Sequence, residues 1–191
     1  MHKPIASGLL AAALLAGGCA SPLVNVNLNV VGEQTALEKQ VLGAYRSLGE
    51  DLMVYSSVRG VDESGALKVP PAATDSQRAA CAAMRNRDYN RDDIRKLLRA
   101  GAAAEGNDGF LIVRKEFGDG PAGALTHDQI LKLADEENTD RKAILKRLME
   151  TTPNLAEDQR GKVGKIFAGL NRESAPGGAW IQDDDGAWRR Q

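Results

Sequence analysis

The sequence predicts a mainly α-helical protein: a helical domain with an N-terminal extended strand and a short C-terminal β-hairpin. Three observations predict it. Apolar residues recur at helical spacing from Leu37 to Tyr55 and from Ile130 to Met149, the pattern of helices with one dry face. Apolar residues and Asn alternate without fault from Val24 to Val30, the period of a strand with one apolar and one polar side. Ala179-Trp-Ile-Gln182 and Ala187-Trp-Arg-Arg190 flank a Gly-ended acidic turn, Asp183-Asp-Asp-Gly186, which reads as a hairpin.

Taken in order, the chain starts with His2 and Lys3, an apolar run from Ile5 to Leu15, and the small residues Ala16, Gly17 and Gly18. These are the three regions of a secretory signal peptide over residues 1–18, too short to span a bilayer. Cys19 follows directly. Leu15-Ala-Gly-Gly-Cys19 resembles the lipobox of bacterial lipoproteins, with Ala16 where Leu is usual. The resemblance implies that the Cys19 thiol is diacylated and that Cys19 becomes the first residue, anchored by palmitate-type chains. A plain cleaved signal peptide with an incidental Cys is the other reading. Ala20 and Ser21, with no Asp at the sorting position, resemble an outer-membrane destination facing the periplasm.

Residues 19–57 are expected to hold the lipidated start, the alternating strand and a first amphipathic helix. Val24, Val26, Leu28 and Val30 share one face of that strand, and Asn25, Asn27 and Asn29 the other. Such a strand either pairs inside its own domain or offers unpaired backbone to a partner's sheet. Thr35-Ala-Leu-Glu38 forms a capping box, opening a helix to about Tyr55. Tyr45 lies on its apolar stripe and reads as core. Gly60, Asp62-Glu-Ser-Gly65 and Pro70-Pro71 mark residues 58–74 as a loop or linker.

The remainder, 75–191, reads as a helical domain. One helix is expected from about Asp75 to Arg87, and a second capped at Asn90 with Ile94, Leu97 and Leu98 on its stripe and Gly101 as its stop. Gly106-Asn-Asp-Gly109 is a turn, and Phe110 to Val113 a short strand or extended link. Thr126-His-Asp-Gln129 is a second capping box opening the longest helix, to roughly Glu150, whose middle from Asp135 to Lys142 is charged and whose Asp135-Glu-Glu137 cluster reads as a solvated face. Pro153 enforces a break, and Asn154 is expected to cap a last helix. Its interior Gly161, Gly164 and Gly169 suggest tight packing. Trp180, Ile181 and Trp188 are expected to hold the hairpin onto the domain, and Ile181 and Trp188 meet across it if the turn has four residues.

Composition narrows the function. Without Lys3 the mature chain has 24 basic and 26 acidic residues, a net charge of −2, so no electrostatic footprint for nucleic acid exists. His127 is the one histidine after the signal peptide, which leaves no zinc ligand set and no His base for a nucleophile. No dinucleotide or P-loop fingerprint occurs. Asp135-Glu-Glu137 and Asp183-Asp-Asp185 read as a helix face and a turn rather than a carboxylate pair for glycan cleavage. Cys81, alone once Cys19 is acylated, reads as a buried inert thiol. The expectation is a non-enzymatic protein with no metal and no cofactor.

Glu105-Gly-Asn-Asp-Gly-Phe-Leu111, Asn138-Thr-Asp-Arg141 and Pro176-Gly-Gly-Ala-Trp-Ile-Gln-Asp183 with Asp185-Gly-Ala-Trp-Arg-Arg190 resemble the YdbL-like family of periplasmic domains. Separately, Val24-Asn-Val-Asn-Leu-Asn-Val30 resembles the strand of the small YnbE-like outer-membrane lipoproteins. The resemblances imply a system built on an AsmA-like protein that bridges the two membranes and carries phospholipid. The chain's expected role is then an accessory or chaperone-like lipoprotein of that bridge, acting through β-strand addition by residues 24–30. The alternative is a structural envelope lipoprotein that binds peptidoglycan.

Overall fold

The computed structural model describes residues 35–57, 74–114 and 125–191. Cys19 and the strand expected at Val24, Val26, Leu28 and Val30 lie outside the described residues, as does most of the linker. Four helices and four short strands make up the described chain, so the protein is mainly α, with a small sheet.

Helix α1 (Ala36–Ser57) starts at its capping box: Thr35 Oγ1 accepts the Glu38 amide at 3.2 Å, and Glu38 accepts the Thr35 amide at 2.6 Å. Helix α2 (Asp75–Ala100) is capped by Thr74 and stopped by Gly101, whose φ of 74° suits glycine. The break expected at Asn90 does not occur. No Gly or Pro interrupts residues 75–100, and the pairs Asp88–Arg91 and Asp93–Lys96 bridge successive turns. The 26 residues of α2 also exceed the 25 of helix α3 (His127–Thr151), so the second capping box opens the shorter of the two. That box is formed, with Thr126 and Gln129 as its reciprocal partners.

Asn154 does not cap the last helix. Its φ is 54°, in the left-handed region, whereas an N-cap needs extended backbone. A 3-10 turn, Glu157–Gln159, leads instead into α4 (Arg160–Ser174). The interior glycines of α4 do not mark close packing either: a Cβ at Gly161, Gly164 or Gly169 would meet nothing within 4 Å.

Strands β1 (Ala103–Glu105), β2 (Leu111–Val113), β3 (Trp180–Gln182) and β4 (Trp188–Arg190) form one sheet in the order β2-β1-β3-β4. The C-terminal hairpin therefore does not stand alone. Its inner strand β3 runs parallel to β1, and each of these carries an antiparallel outer strand. Ile181 pairs with Arg189, and Trp188 with Gln182. The Asp183 amide donates to the Ala187 carbonyl and the Asp183 carbonyl accepts from the Gly186 amide, which leaves a loop of three residues rather than four. That register puts Ile181 and Trp188 on opposite faces: Ile181 is fully buried, and Trp188 is 41% exposed.

Two apolar clusters hold the elements together. One joins Ile94, Leu97 and Leu98 of α2, Leu111, Ile130 and Ile181 beneath the sheet. The other joins Val41 and Leu48 of α1 with Ala80, Cys81, Ile144, Leu148, Val163 and Phe167. The first helix thus shares its core with the helices after the linker. Tyr45 packs partly buried at that core, its ring 6.5 Å from Phe167. Full burial of side chains such as Leu148 or Phe167 contributes roughly 1.5–3 kcal/mol each. Cys81 lies in this cluster, where burial first, and the Asp51 charge second, raise its thiol pKa and keep it from the thiolate that would react.

Candidate functional site

Because β1 and β3 are parallel, the two hairpin turns leave the sheet at the same end. They are built alike. Gly106 donates to the Phe110 carbonyl at 2.9 Å and Asp183 to the Ala187 carbonyl at 2.8 Å. Within each loop the third residue donates back, Gly109 to Gly106 and Gly186 to Asp183. Asp108 Oδ1 accepts the Phe110 amide at 3.0 Å, and Asp185 Oδ1 accepts the Ala187 amide at 2.9 Å. Gly109 and Gly186 have φ of 89° and 90°, the glycine bulge that closes a three-residue hairpin loop. Asn107 ties the turns together, its amide donating to Gln182 Oε1 and its Nδ2 to the Asp183 carbonyl.

Beneath the first turn lies a buried ionic hub. Glu105, at the end of β1, is 2% exposed, as is Arg141 of α3, and Glu137 one turn before Arg141 is 3% exposed. Arg141 grips Glu105 with two nitrogens, at 2.6 and 3.0 Å, and Glu137 with Nε at 2.6 Å. It also donates to the Gly109 carbonyl at 3.0 Å, which accepts from Asn171 of α4 as well. Arg87 of α2 completes the set, donating to Glu137 at 2.8 Å and to Asn171 at 3.1 Å. Burial alone would lower the Arg141 pKa, but the charges and hydrogen bonds of Glu105 and Glu137 outweigh it and raise it. Every member has a partner, as burial of charge requires.

The expectation that Asp135 to Glu137 forms a solvated face is therefore corrected for Glu137, which is buried, as are Asp140 and Arg141 further along the same helix. Asp140 accepts from Asn86 at 3.2 Å, and its carboxyl pKa is raised, chiefly by burial, with Glu137 and Glu136 adding to the rise and Asn86 and Arg87 opposing it. Asn138 points elsewhere: its Oδ1 accepts the Leu111 amide at 2.7 Å and its Nδ2 donates to the Leu111 carbonyl at 3.0 Å.

The first turn, the Asn138 to Arg141 turn of α3 and the C-terminal hairpin thus meet at one place. The hub was missed in the sequence because Glu137 and Arg141 sit four apart, the spacing of a surface ion pair. Above the hub, Asn107, Asp108, Asp184, Gly161, Gly164 and Lys165 line an open cleft of about 300 Å³. Of the hairpin residues expected to pack, Ile181 does so. Trp180 is half-buried with Arg114 and Arg190 over its ring at 4.6 and 4.3 Å, and Trp188 faces outward.

Among the described residues no group of three His, Cys, Asp or Glu is placed to hold a metal ion, and no helix is long and apolar enough to cross a membrane. Comparison with protein-family models, with curated proteins and with solved structures finds no match.

Proposed function

We propose that this chain is a non-enzymatic accessory lipoprotein, held by acyl chains on Cys19 to the periplasmic side of a bacterial outer membrane. Its strand Val24–Val30 adds to the sheet of an AsmA-like envelope protein that carries phospholipid between the membranes. The observation that carries the reading is the closeness of anchor and strand: the alternation starts five residues after Cys19, so the strand works within about 17 Å of the bilayer. Main-chain hydrogen bonds supply the affinity of such an added strand, and Val24, Val26, Leu28 and Val30 its apolar face. The engagement of Glu105, Glu137, Arg141 and Asn138 in holding the fold together supports a scaffold rather than a reaction centre.

Photo-cross-linkers placed in turn at positions 24, 26, 28 and 30 test it in living cells. The expected product is a covalent adduct with one large envelope protein. Adducts with this protein alone sink the reading, and co-sedimentation with purified cell wall in their place favours a structural, peptidoglycan-bound role.

A further inference from the structure

The two lateral edges of the sheet are treated differently. At the β2 edge, Leu111 turns its amide and carbonyl outward, and the Asn138 carboxamide satisfies both. That side chain stands in for a neighbouring strand and closes the edge at Leu111. At the β4 edge the pairs Asp183–Ala187 and Gln191–Ala179 spend their backbone groups inward. By alternation Arg189 does the same, and Trp188 and Arg190 turn theirs outward. No bond to these outward amides is found among the described residues. The charged heads that guard such an edge are drawn aside, Arg189 onto Asp183 at 2.9 Å and Arg190 onto Trp180 and the Gly178 carbonyl.

We infer that the β4 edge pairs with the β4 edge of a second copy of this chain, antiparallel about a two-fold axis through Arg189. Of the two-fold registers, this one pairs both outward-facing residues of each copy. Trp188 of each copy lies opposite Arg190 of the other, exchanging four backbone hydrogen bonds, with the two Arg189 residues facing across the axis. It repeats the cross-strand Trp–Arg pair that Trp180 and Arg190 make inside one copy. Three residues a side bury little area, so the pairing is weak in dilute solution. It becomes effective once chains are confined to a membrane surface, and in that respect the inference rests on the lipid-anchored reading above.

The test is disulfide trapping of the full chain in the cell envelope. Residues facing each other at a non-hydrogen-bonded antiparallel site have Cα atoms about 4.5 Å apart, within reach of a disulfide. Arg189→Cys is expected to give a disulfide-linked homodimer at least tenfold faster than Asp185→Cys, which is exposed on the turn but off the axis. Adding Arg190→Pro removes an amide that faces away from β3, and is expected to cut the dimer about tenfold while far-ultraviolet circular dichroism stays unchanged. Equal rates for the two cysteines, monomer alone, or a disulfide to a different protein overturns the inference. A strand 24–30 adduct with a large envelope protein alongside monomeric Arg189→Cys removes the pairing and leaves the function standing. The opposite pattern removes the function and leaves the pairing.

Discussion

Asn107-Asp-Gly109 and Asp184-Asp-Gly186 share a loop length, an Asp that accepts the amide two residues on, and a glycine near φ +90°. Their surroundings differ. The Gly109 carbonyl lies over Arg141 and Asn171, and a Cβ on Gly109 would stand 3.1 Å from the Phe167 ring. A Cβ on Gly186 would find its nearest neighbour, Gln182 Nε2, at 3.8 Å. Local turn chemistry is the same in both because an Asp–Gly pair satisfies it without help. Burial is imposed from outside, by a cation and a carboxamide on helices distant in sequence.

The largest effect that would break this contrast is removal of the cation. Arg141→Ala leaves Glu105 and Glu137 buried without their main partner and is expected to cost about 3–5 kcal/mol, read from urea denaturation of the chain. Arg141→Lys is expected to recover little, since an ammonium lacks the fork that bridges both carboxylates.

Gly109→Ala comes next. A side chain strained at positive φ and crowded against Phe167 is expected to cost about 2–4 kcal/mol. Gly186→Ala carries the strain without the crowding, and about 1–2 kcal/mol is expected. Equal losses at the two glycines would show that the second turn is packed as the first is.

The smallest effect lies at the rim of the hub and is read by pH. Burial raises the Asp140 carboxyl above its ordinary 3.8, so in that window the folded chain holds a proton that the unfolded chain releases. Stability is then expected to fall as pH rises from about 3.8 through the folded value. Asp140→Asn can still accept from Asn86, and it is expected to stabilise the protein at pH 7 and to lose that advantage below pH 3.8. A gain that persists in acid would assign the effect to something other than the charge.

Legibility followed the range of the interaction. Both capping boxes, at Thr35 and Thr126, were readable because their partners lie three residues away. Gly101 was readable as a stop for the same reason. Asn90 misled because a capping residue acts only where the helix already ends, and nothing at 88–93 ends it. Strand β1 was unreadable: Ala103-Ala-Glu105 has no β-branched or aromatic residue, and it is a strand because β2 and β3 flank it. Glu137 and Arg141 give no sign in the sequence that they are interior, since a buried and an exposed i,i+4 pair are written identically.

By itself, then, the sequence determined where α1, α2 and α3 start, where the chain turns, and that the C-terminal Asp–Gly loop closes a hairpin, since each depends on groups a few bonds apart. The tertiary structure alone decided that the hairpins join through a parallel β1–β3 pair, that one turn sits over a buried Arg141, and that Asn138 caps the sheet edge at Leu111. Those outcomes depend on which side chains from distant helices arrive at a given carbonyl, and only folding brings them there.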